Sequence, residues 1–286
     1  MKPARTNGAL LPRRFRMVLV HLAEGACRDL ELLPQRPVHA IHALRTRMKQ
    51  LRAIVDLVRE SVSRKARKDI SASAGKLKDA FSKQRDAHVI ATLRASFGGK
   101  RQVTSYQRQL GTGKGGLAQG EFRALSKEAA KLSRMVSRLD LGGLSWEQLF
   151  DAYVRAYRVA RSGMKACTRK PTAASLHKWR RPVKDLFFQS QVLRPIDGMK
   201  RRTRLARRLG DRLGEFNDLD MLGKSAAAAG RKGIIKRIAK RKESLRQAAL
   251  KAGAKLLAQK PREIARELES CLKHTPRALE HCLRQA

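Results

Sequence analysis

Apolar residues recur at three- and four-residue spacing along nearly the whole chain, and alternating apolar and polar runs are scarce. The pattern predicts an all-α protein. Helices are expected over Leu11–Leu32, Pro37–Ser61, Arg64–Phe97, Phe122–Leu139, Ser145–Lys165, Ala173–Leu193, Asp197–Gly223 and Ile234–Leu257, with a shorter one over Arg262–Leu272. Short joins between consecutive helices predict antiparallel bundles. Seven glycines between Gly98 and Gly120 interrupt the rhythm and predict a flexible loop. Within it, Thr112-Gly113-Lys114-Gly115-Gly116 lacks both the preceding strand and the Ser or Thr after the lysine that a phosphate loop requires.

An internal repeat organises the rest. The run Ile41-His42-Ala43-Leu44-Arg45-Thr46-Arg47-Met48-Lys49-Gln50-Leu51 aligns without gaps with Leu176-His177-Lys178-Trp179-Arg180-Arg181-Pro182-Val183-Lys184-Asp185-Leu186. Downstream, Arg85-Asp86 corresponds to Asn217-Asp218, at separations of 44 residues from His42 to Asp86 and 41 from His177 to Asp218. Two halves of similar architecture are expected, residues 1–97 and 121–286, joined by the Gly-rich stretch 98–120.

With His42 at 0° on a helical wheel, Arg45, Lys49 and Arg52 fall within about 80° of it, and the apolar Ile41, Leu44, Met48, Leu51 and Val55 occupy the adjoining arc. The cations border the core instead of opposing it, as the wall of a cleft would. His177, Arg180 and Lys184 repeat those angles beside Leu176, Trp179, Val183 and Leu186. The bland reading of either stripe alone is a solvated helix face; two stripes in register, each opened by a histidine, favour a ligand site.

Composition sharpens the chemistry. The chain of 286 residues carries 65 Lys plus Arg against 24 Asp plus Glu, a formal charge of +41, and thus calls for an anionic partner. The excess is +18 over residues 1–150 and +23 over 151–286, so it is not an appended basic arm. Forty of the cations are arginine, the better bidentate partner for phosphate oxygens. Four scattered cysteines and the short apolar run Met17–Leu22, broken by His21 and followed by Glu24, predict a cytoplasmic protein without disulfides, signal or membrane span. The C-terminal Cys271, His274, His281 and Cys282 do not follow a standard zinc spacing, and neither a metal nor a cofactor is expected.

These motifs resemble the CHAD domain, a conserved-histidine α-helical family, whose two copies read approximately I-H-x-L-R-K-x-x-K-x-L-R and L-H-x-x-R-K-x-V-K-x-L. Leu213-Gly214-Glu215-Phe216-Asn217-Asp218-Leu219 resembles the family's LG-x-x-x-D-L segment, and Arg85-Asp86 its counterpart. The resemblance spans about residues 10–275 as one domain. It implies two pseudo-symmetric antiparallel four-helix bundles around a basic central pore, binding of inorganic polyphosphate, and association with polyphosphate granules. It implies no catalysis, and helical motif material near the start leaves no room for the triphosphate tunnel domain that some relatives carry. Two positions depart from the pattern: Thr46 stands where the family commonly has a base, with Arg47 beside it as a substitute, and Pro182 falls inside the second motif helix and predicts a kink there.

The site residues expected on these grounds are His42, Arg45, Lys49, Arg52, His177, Arg180 and Lys184, with Arg13, Arg14, Arg16, Arg158, Arg161, Arg201, Arg204 and Arg208 as further candidates. Asp86 and Asp218 are expected to orient neighbouring cations by ion pairing. Polyphosphate offers no base to stack on, which suits a chain of two Trp, three Tyr and eight Phe. The alternatives are a basic helical protein that binds nucleic acid non-specifically at low salt, and phosphoryl transfer through His42 or His177. Against the second stand the missing Arg-His-Gly phosphatase motif and the missing acidic cluster for Mg²⁺. Oligomeric state and preferred anion length are left open.

Overall fold

Side-chain caps set several helix starts. Ser145 opens a helix with a capping box: its hydroxyl accepts from the Gln148 amide at 3.3 Å, and the Gln148 side chain accepts from the Ser145 amide at 3.2 Å. Thr172 accepts from the Ser175 amide at 3.1 Å and Ser63 from the Ala66 amide at 3.2 Å, each satisfying an orphan donor of a first turn. The computed structural model describes residues 10–97 and 117–274. Among them the chain is all-helical, with ten helices and no strand: α1 (Leu10–Glu31), α2 (Pro37–Leu57), α3 (Arg64–Asp79), α4 (Ser82–Ser96), α5 (Gln119–Ser137), α6 (Trp146–Arg169), α7 (Ala173–Val192), α8 (Met199–Ala228), α9 (Lys232–Leu256) and α10 (Pro261–His274).

The periodicity places most helix ends to within about five residues, the helix expected to stop at Ser61 stopping at Leu57 and the one expected to stop at Lys165 running on to Arg169, and it misses one break. The expected helix Arg64–Phe97 is two helices, broken at Ala80 and Phe81. No Gly or Pro marks that break; Phe81 turns fully into the core, and the carbonyl of Lys78 accepts a hydrogen bond from Arg45 of α2. At the start of α8, Gly198 takes φ 76° and delays the helix from Asp197 to Met199. Its expected stop at Gly223 is passed over, and the chain turns at Gly230, with φ 65°. Helix α7 runs through Pro182, whose nitrogen carries no hydrogen to donate to the Lys178 carbonyl one turn earlier. Residues 98–116 of the Gly-rich stretch lie outside the described residues, while Gln119 and Gly120 already belong to α5.

Helix α1 packs on α2 and α5, and α3 packs on α2 and α5. Thus α5, which the sequence division groups with the second half, packs against helices of the first. Helices α6, α7, α8 and α9 pack in order, with α9 returning to α6 and α10 resting on α6. Helix α2 is the bridge between the sets, touching α6 and α7, and α4 lies against α2 and α8. One continuous hydrophobic core runs from Phe15, Leu44 and Met48 to Tyr153, Trp179 and Leu213.

Arg47 belongs to this framework and not to a cleft. Its guanidinium donates to the buried Asp29 of α1 at 2.8 Å, so it does not stand in for the base missing at Thr46. Removing it would strand a buried carboxylate. Arg47→Met is expected to cost about 3 kcal/mol in chemical denaturation, the lower end for a broken buried pair because Arg47 is partly exposed, while ligand affinity stays within about twofold.

Candidate functional site

The bridge between α2 and α7 brings the two sequence stripes together. A cavity of about 330 Å³ is lined by Lys49, Arg52 and Asp56 of α2, Lys78 of α3, and His177, Arg180, Arg181, Lys184 and Asp185 of α7. A second, of about 710 Å³, is lined by Arg45 and Lys49, by Arg85 and Asp86 of α4, by His177, Lys178 and Arg180, and by Asn217, Asp220 and Lys224 of α8. Lys49, His177 and Arg180 belong to both walls.

The second stripe passes over two glycines of α8, of which Gly210 is the close approach. A Cβ at Gly210 would meet the Lys184 side chain at 3.1 Å, and one at Gly214 would meet Arg180 at 3.8 Å. The two glycines, one turn apart, face the two cations, also one turn apart, across the α7–α8 contact. Gly214 is the glycine of the LG-x-x-x-D-L segment, and Oδ1 of the segment's Asn217 accepts from the Nδ1–H of exposed His177 at 2.5 Å.

The charges divide into paired and unpaired groups. Arg85 donates to Asp86 at 3.0 Å and to Asp218 at 2.7 Å. Burial would lower its pKa, but these two carboxylates more than compensate and hold it above the ordinary arginine value. The orienting role expected of Asp86 and Asp218 is therefore visible in the geometry. Lys184 donates to Asp211 at 3.1 Å and lies 5.6 Å from the Phe187 ring. Arg45 spends its donors on neutral groups, the Lys78 carbonyl and the Ser82 hydroxyl at 2.9 Å. Arg180 and Lys49 form no hydrogen bond or ion pair with a described residue, and the Nε of Arg180 is buried without a partner.

The electrostatics follow. Burial, then repulsion from Arg180, Arg45, Arg85 and Lys184, lowers the Lys49 ammonium to about 8. Burial, and then Arg85, depresses Arg45 against the pull of Asp86 and Asp79, and burial with Arg85 depresses Arg180 against the pull of Asp218. Desolvation, followed by the charges of Lys49 and Arg85, lowers His42. On the opposite edge, burial raises Asp185 to about 6 against the pull of Arg181 and Arg52. The cluster thus resists its own positive charge.

Of the expected residues, Arg45, Lys49, Arg52, His177, Arg180 and Lys184 line the cavities. His42 does not line them; it is an exposed residue whose charge is coupled to Lys49, Arg85 and Arg45. Arg13, Arg14, Arg16, Arg158, Arg161, Arg201, Arg204 and Arg208 line neither cavity. Arg161 instead donates to the Leu257 carbonyl at 3.0 Å, and Arg208 lines a separate groove of α8 and α9. Sequence reasoning passed over Lys78, Arg85, Lys178, Arg181 and Lys224. Arg85 was legible beside Asp86, and Arg181 lies about 40° from His177 on the wheel, but nothing in the repeat pointed to Lys78 or Lys224. Among the described residues no group of three or more Asp, Glu, His or Cys is placed to hold a metal ion; His281 and Cys282 lie outside them.

The model of the CHAD domain matches residues 9–227, most of the chain. The chain belongs to the CHAD domain family. The matched CHAD segment takes in α1 to α7 and nearly all of α8, and so both walls of the cavities. Beyond it, α9 packs on α6 and α8 and closes the second set of helices. No curated protein matches the sequence. No helix among the described residues is long and apolar enough to cross a membrane.

Proposed function

We propose that this CHAD domain binds inorganic polyphosphate in the cavities between α2 and α7, without chemically altering it. The observation that carries the reading is the trio Arg45, Lys49 and Arg180, which together line the larger cavity with no carboxylate of a described residue within ion-pair distance. Half-buried cations left without a counterion cost stability, and a polyanion would supply that counterion. The two sets of helices then act as pseudo-symmetric four-helix bundles flanking a basic pore, and binding anchors the protein to polyphosphate granules.

A linear phosphate chain matches the lining better than a nucleic acid does. Among the described residues of either wall Phe216 is the one Phe, Tyr or Trp and is buried, so no exposed ring of that kind awaits a base. The test is calorimetric titration with long polyphosphate, triphosphate and duplex DNA at 50 and 200 mM salt. Long polyphosphate is expected to bind best and to displace DNA at the higher salt, with a log–log salt slope of about −0.7 per phosphate contact by analogy with single strands. Failure to displace DNA would sink the reading, and shortening of the chain during incubation would replace binding with catalysis.

Proton linkage gives a second test. A Lys49 that titrates near 8, against 10.5 ordinarily, makes the unfolded chain hold the extra proton between those values. Stability of the free protein should therefore rise with pH across that window. A bound polyanion raises Lys49 again, so affinity should fall across the same window. Below it, the polyanion also raises His42 and Asp185, and affinity should climb further from pH 8 to pH 6. Thermal melts and titrations at pH 6, 8 and 9.5 and fixed salt check both signs; affinities that do not change with pH would remove this coupling.

A further inference from the structure

Much of the surplus charge lies away from the central cavities, and one part of it is organised. Arg208 and Arg212 of α8 and Lys251 and Lys255 of α9 line a groove of about 270 Å³ floored by Leu205, Ala248 and Ala252. No carboxylate lines it, and none of the four cations forms an ion pair with a described residue. Some other cations on the same helices do: Arg207 with Asp211 at 3.9 Å, Lys224 with Asp220 at 3.2 Å, and Arg241 with Glu215 at 2.6 Å. The groove cations are moreover two like-charged pairs at i, i+4, an arrangement that repels along each helix. An anion between the helices would relieve both repulsions.

The groove is separate from the cavities already described. On the α8 wheel Arg208 and Arg212 lie about 160° and 200° from Gly210, whereas Gly214 and Asn217, which meet Arg180 and His177, lie within about 40° of it. The two anion-facing surfaces are opposite sides of one helix. We infer that the α8–α9 groove is a second, independent site for a linear phosphate chain, so that one molecule holds two chains or two distant stretches of one. The identity of the anion rests on the proposed function. The absence of aromatics from the groove favours bare phosphate over bases. A bivalent protein would cross-link long chains, where a single pore only threads them.

Three charge-reversed pairs test this: Lys49→Glu with Arg180→Glu in the cavities, Arg208→Glu with Lys251→Glu in the groove, and Lys131→Glu with Arg134→Glu on exposed positions of α5 as a control. Titration with long polyphosphate and turbidity of the mixture are the readouts, with circular dichroism to confirm folding. The cavity pair is expected to keep weak binding that drops a further tenfold or so when the groove pair is added, as the loss of several phosphate contacts implies. The groove pair alone is expected to abolish turbidity while triphosphate binding persists. Complete loss of binding in the cavity pair, or an equal effect of the control pair, overturns the second site and leaves the proposed function standing. Loss of DNA binding but not of polyphosphate binding in the groove pair also overturns it. No polyphosphate binding by the unaltered protein overturns both.

Discussion

Arg180→Met should weaken binding of long polyphosphate by roughly 30- to 1000-fold, the equivalent of about 2–4 kcal/mol for truncating one side of a desolvated charge contact. It should also raise the melting temperature of the free protein. The two signs have one cause. Arg180 lies on both cavity walls, its Nε is buried without a partner, and its pKa is lowered by burial and by Arg85 against the opposing pull of Asp218. Met keeps much of the bulk over Gly214 and removes the charge, so the free protein loses a penalty and the complex loses a contact. Such a trade of stability for function is common at binding sites. Damage to the fold would lower both quantities, so melting and titration of the same variant separate the explanations. A melting temperature that falls with the affinity would show that Arg180 is structural.

The largest stability effect is expected one residue earlier. Trp179→Ala should cost about 3–5 kcal/mol, as large aromatic truncations in cores do. Trp179 is 1 % exposed and donates from its indole to the Ala160 carbonyl at 2.8 Å. It fits between α6 and α9 because both helices offer a glycine: a Cβ on Gly163 would sit 2.6 Å from the ring and one on Gly253 2.5 Å from it. The void left by alanine has rigid helix backbone on two sides and would collapse little. Against a total stability of about 5–15 kcal/mol, the loss is a large fraction. Urea denaturation checks it. A cost below about 1 kcal/mol would mean that the α6–α7–α9 contact repacks freely. Gly253→Ala should destabilise less, because overpacking of about 1–3 kcal/mol is set against about 1 kcal/mol of helix propensity.

Much of this was legible in the residues. The core-facing arc read for the second motif helix, with Leu176, Trp179, Val183 and Leu186, is buried as read. The first behaves alike, with Leu44, Met48 and Leu51 fully buried. Because the cations were placed beside that arc and not opposite it, Arg45, Lys49 and Arg180 could be named before any fold was known. The failures are equally specific. Arg47 looked like a spare ligand, yet Asp29, eighteen residues away in sequence, claims it. Arg161 turns to the Leu257 carbonyl and Arg208 to the separate α8–α9 groove, so neither joins the cavities between α2 and α7. The break at Ala80 and Phe81 had no breaker residue to announce it, since burial of Phe81 and the donor from Arg45 fix it from outside the segment.

By itself the sequence determined the helices, the excess of positive charge and the two stripes bordering the core, because helical periodicity and the angle between neighbouring side chains are local properties of the chain. Only the tertiary structure decided which cations are neutralised and which are left without an ion pair. Arg85 between Asp86 and Asp218, and Lys49 and Arg180 with no carboxylate of a described residue within ion-pair distance, differ in nothing that composition records. Ion pairing depends on a few ångströms between helices far apart in sequence, and those distances exist only once α2, α4, α7 and α8 have packed.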